Sequence, residues 1–123
     1  MAKRILIVED DPSVLRAISH MLEKEGYSVL TAMNGLEGLK KAKEENPDLL
    51  VLDVMLPGID GFEICHRLRA ESQTAKLPIL MLSAKGQAAD RSTGLEVGAN
   101  EYLTKPVERT VLLSKIEALL AAK

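Results

Sequence analysis

The sequence contains very little cysteine, since Cys65 is the only one. A single thiol excludes a disulfide within the chain and a zinc site built from several cysteines. Long apolar runs are also missing. The apolar residues 5–8, which follow the basic amino terminus, are too few for the core of a signal peptide, and no segment has the length of a membrane span. We therefore expect a cytoplasmic protein with no membrane contact.

An excess of positive charge is absent as well. The chain has 16 lysines and arginines against 18 acids, so its formal net charge is -2, and the basic residues are scattered. A nucleic-acid surface needs clustered positive charge, so the composition predicts no direct contact with nucleic acid. A chain of 123 residues is long enough to bury a core of its own. We therefore expect one domain over residues 1–123.

Five short apolar segments alternate with five segments of helical periodicity. The apolar segments are residues 3–8, 27–31, 49–52, 78–83 and 101–104. The third of them has no alternation of polar and apolar residues, which is typical of a strand that is covered on both faces. Strands and helices that alternate through short loops favour a parallel sheet with right-handed crossovers. The pattern predicts an α/β fold with helices on both faces of one five-stranded sheet.

The first two helices have recognisable starting residues. Asp11 before Pro12 is typical of a helix cap followed by the first helical residue, and this helix is predicted to end near Gly26. Asn34 is predicted to cap the second helix. Three residues of the second helix are predicted to face the core: Leu36, Leu39 and Ala42.

The other three helices differ in their apolar content. The third begins near Gly61 and is predicted to have an inner face and a charged outer face. The inner residues are Phe62, Cys65 and Leu68, and the outer ones are Arg67, Arg69 and Glu71. The fourth, over residues 88–97, has few apolar residues and is interrupted by Gly94, so it is predicted to be weaker. The fifth begins at about Arg109 and has an apolar face.

Polar residues follow the carboxyl ends of four predicted strands: Asp10, Asp53, Ser83 and Lys105. In a parallel sheet these ends share one edge, where open α/β sheets bind ligands. Glu9 adds a further acid. Two carboxylates about 4 Å apart repel by roughly 4 kcal/mol at an effective dielectric constant near 20, so a compensating charge is needed. A shared proton is one solution, and a hard divalent cation such as Mg²⁺ is the other.

We favour Mg²⁺, because a lysine and a hydroxyl at the same edge suit the oxygens of a phosphoryl group better than they suit a proton-sharing pair of acids. Asp53 is then the candidate nucleophile, which forms an aspartyl phosphate while the metal offsets negative charge. The alternative is that Asp53 only caps its strand and contacts water.

Four motifs occur in a fixed order. They are Ile-Leu-Ile-Val-Glu-Asp-Asp at residues 5–11, Leu52-Asp53 with Leu-Pro-Gly-Ile-Asp-Gly at residues 56–61, Ser83-Ala84, and Lys105-Pro106. In this combination the chain resembles, over essentially its whole length, the receiver domain of two-component response regulators, the CheY-like superfamily. The resemblance implies a flavodoxin-like, three-layer (βα)5 sandwich with strand order 2-1-3-4-5.

The resemblance also implies a role for each residue of the edge. Asp53 would accept phosphate from a phosphohistidine of a sensor histidine kinase or of a histidine phosphotransfer protein. Mg²⁺, or Mn²⁺ in its place, would be held by Asp10, Asp53 and the backbone carbonyl of Met55, and by Glu9 through water. The protein would then be a phosphorylation-activated switch of a phosphorelay and not a metabolic enzyme.

The remaining roles concern the response to phosphate. By resemblance, the Ser83 hydroxyl moves to the phosphoryl group, Tyr102 turns inward with it, and Lys105 pairs with the phosphate. The resemblance also implies that the peptide bond between Lys105 and Pro106 is cis. The fourth helix, fifth strand and fifth helix would present the surface that contacts a downstream target or output domain. Family members tune dephosphorylation at the positions of Met55 and Lys85.

Three other functions compete with this interpretation. A haloacid-dehalogenase-type aspartyl-phosphate hydrolase usually has a second acid two residues after the nucleophile, where this chain has Met55. A flavodoxin-type flavin binder needs a phosphate-binding loop after the first strand, and the acids at residues 9–11 would repel phosphate. A receiver-like docking module that is never phosphorylated would not need the complete set of acid, hydroxyl and lysine.

Overall fold

The computed structural model describes residues 2–84 and 88–122. Ten elements alternate along the chain: β1 (Arg4–Val8), α1 (Pro12–Lys24), β2 (Ser28–Ala32), α2 (Gly35–Glu44), β3 (Leu49–Asp53), α3 (Gly61–Ala70), β4 (Ile79–Ser83), α4 (Ala88–Glu96), β5 (Glu101–Thr104) and α5 (Arg109–Ala121). Within the described ranges, no helix is both long enough and apolar enough to cross a bilayer.

The five strands form one parallel sheet in the order β2-β1-β3-β4-β5. The predicted α/β class, the parallel sheet and the order implied by the resemblance are confirmed. All residues of β3 and β4 are buried, which agrees with the apolar pattern without alternation. Because the strands are parallel, the residues that follow β1, β3, β4 and β5 lie at one edge.

Two apolar clusters cover the two faces of the sheet. One packs Leu50 and Leu52 of β3 against side chains of α2 and α3. The other packs Leu49 and Val51 of the same strand against α1 and α5. Successive residues of a strand point to opposite faces, so β3 contributes to both clusters. This arrangement is the predicted three-layer sandwich.

Side chains cap three helices at their amino ends. The Oδ1 atom of Asp11 accepts a hydrogen bond from the backbone N–H of Ser13 at 2.9 Å, and Asn34 and Asp60 cap α2 and α3 in the same way. Each cap satisfies a backbone donor that has no partner within its helix. The predicted caps Asp11 and Asn34 are confirmed. The second strand lies one residue later than predicted, because it begins at Ser28 and extends to Ala32.

Leu36 does not face the core as predicted, since 65% of it is exposed. The buried stripe of α2 comprises Gly35, Gly38, Leu39 and Ala42. A Cβ atom on Gly38 would lie 2.7 Å from a methyl group of Val8, so the helix approaches β1 more closely than a side chain permits. The prediction for Leu36 was wrong because it counted apolar side chains and left out Gly38, which makes this contact.

Arg69 is partly buried, although the sequence pattern places it on the outer face of α3. Its guanidinium donates hydrogen bonds to the Oδ1 atom of Asn100 and to four backbone carbonyls, those of Thr74, Ala75, Leu77 and Gly98. A long side chain at the end of a helix can reach the carbonyls of neighbouring turns while its stem packs on apolar surface. The prediction of a solvent-facing Arg69 was therefore wrong.

Candidate functional site

Four strand ends bring polar side chains to one edge of the sheet. Glu9 and Asp10 directly follow β1, and Asp53 is the last residue of β3. Ser83 is the last residue of β4 and pairs in register with Thr104 of β5, so Lys105 emerges next to it. The backbone N–H of Lys105 donates to the carbonyl of Ser83 at 2.7 Å. Together with the pairing of β1 with β3 and of β3 with β4, these contacts fix the relative positions of the four segments.

The three acids converge. One carboxylate oxygen from each of Glu9, Asp10 and Asp53 lies within 4.8 Å of the other two. Glu9 is 1% exposed and Asp53 is 2% exposed, whereas Asp10 is exposed to solvent. Two buried carboxylates and an exposed one therefore share a small volume, as the order of strands in the sheet requires.

Lys105 partly offsets this negative charge. Its Nζ atom lies 2.7 Å from Oε1 of Glu9 and 3.2 Å from Oδ1 of Asp53. The other carboxylate oxygen of Glu9 accepts a hydrogen bond from the backbone N–H of Asp11 at 3.1 Å. One ammonium thus stands against three carboxylates, so the site keeps an excess of negative charge.

The electrostatics follow from burial and from these pairs. Burial and then the charge of Glu9 raise the pKa of Asp53 to about 6, although Lys105 acts in the opposite direction. For Lys105, burial acts to lower the pKa, but the contacts with Glu9 and Asp53 together outweigh it and the pKa is raised. The lysine therefore stays protonated at neutral pH, when Asp53 is largely ionised.

The donor set of this cluster fits a hard divalent cation. Mg²⁺ binds oxygen ligands, takes one or two carboxylates, and keeps several waters. The cluster offers carboxylate oxygens that are close to one another, one of them on an exposed residue where waters can complete the coordination. Its excess negative charge supplies the electrostatic reason for binding a cation.

Ser83, Tyr102 and Met55 lie in different surroundings. Ser83 is 1% exposed, and its hydroxyl is 3.4 Å from the carbonyl oxygen of Ala84. Tyr102 is 3% exposed and belongs to the apolar cluster on the α2 and α3 side of the sheet. Met55 follows β3 by two residues, and 59% of it is exposed. Lys85 lies outside the described residues. The peptide bond between Lys105 and Pro106 is cis, as the resemblance implied.

Gly61 is a residue of the site that the sequence pattern did not single out. A Cβ atom there would lie 2.5 Å from the backbone oxygen of Asp53 and 2.9 Å from the Cα atom of Val54. The first turn of α3 therefore packs directly on the end of β3. Gly61 is the last residue of the motif at residues 56–61, but the sequence analysis assigned it only to the start of the third helix.

The family model of the response regulator receiver domain matches residues 5–117. The chain belongs to this family. It is therefore a receiver domain of two-component response regulators, which are signalling proteins and not metabolic enzymes. As a family, receiver domains interact with histidine kinases.

A transcriptional regulatory protein is similar in sequence to almost the whole chain. The alkaline phosphatase synthesis transcriptional regulatory protein PhoP of Bacillus subtilis (strain 168) is 48% identical over 120 residues, which cover 98% of this chain and 49% of PhoP. The chain thus spans about half the length of the relatives of this kind that it matches.

Solved structures share the fold. The CheY-like receiver domain protein from Methanospirillum hungatei JF-1 has a TM-score of 0.92 and 33% identity, with 99% of this chain and 96% of that chain covered. The receiver domain of a sensor histidine kinase from Pseudomonas aeruginosa PAO1 has a TM-score of 0.91 and 30% identity, with 98% and 99% covered. That structure has a magnesium ion coordinated in its active-site cleft.

Proposed function

We propose that this receiver domain is a phosphorylation-controlled switch in which Asp53 accepts the phosphoryl group. The observation that carries the proposal is the position of Asp53. It is buried at the end of the central strand, with the carboxylates of Glu9 and Asp10 close by and the ammonium of Lys105 at 3.2 Å. A carboxylate that only caps a strand does not need this surrounding set of charges.

The proposed metal ligands are Asp10, Asp53 and the backbone carbonyl of Met55, with Glu9 acting through water. The proposed ion is Mg²⁺, with Mn²⁺ as an alternative, because both prefer oxygen ligands. When bound, the ion offsets the negative charge of the carboxylates and of the phosphoryl oxygens. The magnesium ion in the related kinase receiver domain is consistent with this assignment.

In the proposed reaction, a carboxylate oxygen of Asp53 forms a bond to phosphorus while the phosphorus–nitrogen bond of a phosphohistidine breaks. The departing imidazole keeps the electron pair of that bond and takes a proton. The switch is reset by hydrolysis: water attacks phosphorus and the Asp53 carboxylate leaves, which releases inorganic phosphate. Lys105 holds positive charge next to the phosphoryl group throughout.

The proposed response involves Ser83 and Tyr102. The Ser83 hydroxyl donates to a phosphoryl oxygen, and Tyr102 follows the movement of that segment. The added charge and acceptors favour one of two arrangements of the loops after β3, β4 and β5. The surface formed by α4, β5 and α5 then changes, and a downstream protein or output domain reads the change.

The proposed phosphoryl donor is a sensor histidine kinase or a histidine phosphotransfer protein. We also propose a cytoplasmic location, by analogy with the family, and a single domain over residues 1–123, because one sheet and its two clusters account for the described elements. The near balance of acids and bases supports a domain that does not itself bind nucleic acid or a membrane surface.

The test is intact-mass measurement after incubation with acetyl phosphate and Mg²⁺. We expect one added phosphoryl group that is labile in alkali and absent from Asp53→Asn. Asp60→Asn is the matched control, because it changes an exposed acid seven residues away and retains an amide oxygen that can cap α3. Phosphorylation of Asp53→Asn at the parental level would refute the proposal. Loss of phosphorylation in Asp60→Asn but not in Asp53→Asn would refute it as well.

The metal site has a separate test by calorimetric titration with Mg²⁺. We expect Asp10→Asn to weaken Mg²⁺ binding several-fold. Asp11→Asn is the control, since asparagine caps a helix about as well as aspartate and the two positions are adjacent. Equal Mg²⁺ affinities of the parent and Asp10→Asn would remove Asp10 from the ligand set.

A further inference from the structure

Strand β2 stands at one end of the strand order, next to β1, so it forms an edge of the sheet. The N–H of Ser28 and the carbonyl of Ala32 both bond to the residues that flank β1. Successive residues of a strand direct their backbone groups to opposite sides, so those of Thr31 and Met33 point away from β1. An edge of this kind offers its outward donors and acceptors to a further strand.

Two side chains of α2 occupy outward groups of this edge. The Nζ atom of Lys41 donates to the carbonyl of Thr31 at 2.5 Å, and Oε1 of Glu37 accepts a hydrogen bond from the N–H of Met33 at 3.0 Å. The same Nζ atom lies 3.3 Å from Oε2 of Glu37. The hydrogen bond from Met33, and then the contact with Lys41, lower the pKa of Glu37, so both members of the pair are charged at neutral pH.

These contacts resemble the hydrogen bonds that an added strand would make. A sixth strand beside β2 would donate an N–H to the carbonyl of Thr31, and one of its carbonyls would accept from the N–H of Met33. Lys41 and Glu37 supply the same donor and the same acceptor. Residues four apart lie on one side of a helix, and the close approach of α2 to β1 at Gly38 brings both side chains to the edge.

The residues of β2 themselves do little to discourage pairing. Residues 27–32 are Tyr-Ser-Val-Leu-Thr-Ala, with no charge, no proline and no glycine. A short segment of this composition adds readily to another strand. The opposite edge of the sheet differs, because β5 itself contains Glu101, whose carboxylate lies 3.3 Å from the ammonium of Lys115. At the edge of β2 the charges come from α2 instead.

We propose that Glu37 and Lys41 cover the outer edge of β2 and keep it from joining the same strand of a second copy of this chain. Two identical edge strands can pair about a twofold axis, because they then run antiparallel and offer each other the same donors and acceptors. A second copy is the expected occupant, since the uncharged residues 27–32 meet no repulsion from their own copy. The proposal does not depend on phosphorylation of Asp53.

The test is sedimentation velocity at protein concentrations up to the millimolar range. Lys41→Met keeps the aliphatic stem and removes the donor to Thr31. Lys40→Met is the matched control, because it changes an exposed lysine of the same helix and the same charge. We expect Lys41→Met to form a dimer with a dissociation constant at least about tenfold below that of Lys40→Met, because each of the two copies has gained an open carbonyl. Lys41→Arg, which retains a donor, should behave as the parent does.

A second variant opens both backbone groups. Glu37→Ala combined with Lys41→Met should dimerise more strongly than Lys41→Met alone. Glu37→Gln should not dimerise, because its amide oxygen can still accept from the N–H of Met33. The two side chains are 42% and 36% exposed, so the substitutions should leave the fold intact, and circular dichroism checks this.

Hydrogen exchange locates the surface of the dimer. In Lys41→Met, the outward amides of Val29 and Thr31 should exchange more slowly at high protein concentration, whereas the amides of Ser28 and Leu30, on the β1 side, should not change. A dimer without this protection would use another surface and would overturn the proposal. It would also be overturned if Lys41→Met and the double variant were as monomeric as Lys40→Met, or if the parent itself showed the same protection.

Discussion

Helices α3 and α4 both connect neighbouring strands of the same sheet, yet they are attached to it in opposite ways. Four residues of α3 are buried, Asp60 caps its amino end, and Arg69 binds its carboxyl end to the adjacent turns. Of residues 92–96 of α4, only Gly94 is buried. The first helix holds the end of β3 and therefore Asp53 in place, whereas the described part of the second contacts Met81 and Tyr102 at Gly94.

The comparison shows that two helices of one small domain can pack on a sheet with very different numbers of buried side chains in their described parts. Groups that react must be held in position, and this demands a well-packed support. Groups that report on the reaction must have two arrangements of similar free energy. In this domain α3 meets the first requirement, and α4 lies on the same face of the sheet, where Gly94 contacts Met81 and Tyr102 of the same apolar cluster.

The largest expected effect is the loss of support under α3. Ile64 is completely buried in the core, so Ile64→Ala removes apolar contacts and leaves a cavity, which should lower the free energy of unfolding by about 2–5 kcal/mol. Urea unfolding followed by circular dichroism measures it. If Ile64→Ala lowered the free energy of unfolding by less than an average surface substitution does, α3 would not be the firmly packed helix.

The next largest effect is the pH dependence of stability that comes from the buried carboxylate of Asp53. The pKa of Asp53 is raised to about 6 in the folded protein, from a usual value of 3.8. Between these values the folded state binds more protons than the unfolded state, so stability falls as pH rises from about 4 to about 6 and is constant above. The contribution is at most about 3 kcal/mol.

Asp53→Asn should therefore be more stable than the parent at pH 7.5 in the absence of metal, and similar to it at pH 3.5. Thermal unfolding at both pH values measures the difference. If the gain from Asp53→Asn were the same at both pH values, the raised pKa of Asp53 would not be its cause.

A smaller effect is expected at the junction of the two helices. Arg69→Met keeps much of the aliphatic stem but removes the donors to the carbonyls after α3 and α4, which should cost about 1–3 kcal/mol. Arg67→Met is the matched control, two residues away. Arg67 is exposed, and its ion pair among the described residues is with Glu63 at 2.8 Å, so its loss should lower the free energy of unfolding by about 0.5 kcal/mol or less. If Arg69→Met and Arg67→Met lowered the free energy of unfolding equally, Arg69 would not anchor the end of α4.

The smallest effect is expected on α4 itself. Leu95 is 45% exposed, so Leu95→Ala should change the free energy of unfolding by less than about 0.5 kcal/mol. Ile64→Ala in α3 should therefore lower the free energy of unfolding several times more than Leu95→Ala in α4 does. A large cost at Leu95 would show that this side chain inserts into the core and would end the distinction between α3 and α4.

Much of this architecture follows from the sequence for a simple reason. The apolar strands are periodic, and the polar residues at their ends mark one edge of the sheet, so the positions of Asp10, Asp53, Ser83 and Lys105 were predictable from the order of elements. The order of the strands was not: it came from the resemblance to receiver domains, because residue patterns do not state which strands are neighbours.

The features that escaped prediction depend on close approach and on long side chains. Leu36 was assigned to the core because glycines carry no hydrophobic signal, although Gly38 packs on Val8 of β1 and Gly35 packs on Ile59. Gly94 appeared only as an interruption of a weak helix, yet it sets the distance between α4 and the ring of Tyr102. Arg69 appeared as an outer charge, because four of its five hydrogen-bond acceptors are backbone carbonyls that no sequence pattern reveals.

The ion pairs of Lys105 have a consequence for how sensitively the domain responds. Before any phosphoryl group arrives, the ammonium already contacts Glu9 at 2.7 Å and Asp53 at 3.2 Å. In the proposed function, a phosphoryl group would gain only the difference between its own attraction to the lysine and the attraction that those carboxylates lose. Glu9 would then be a built-in competitor of the phosphoryl group for Lys105.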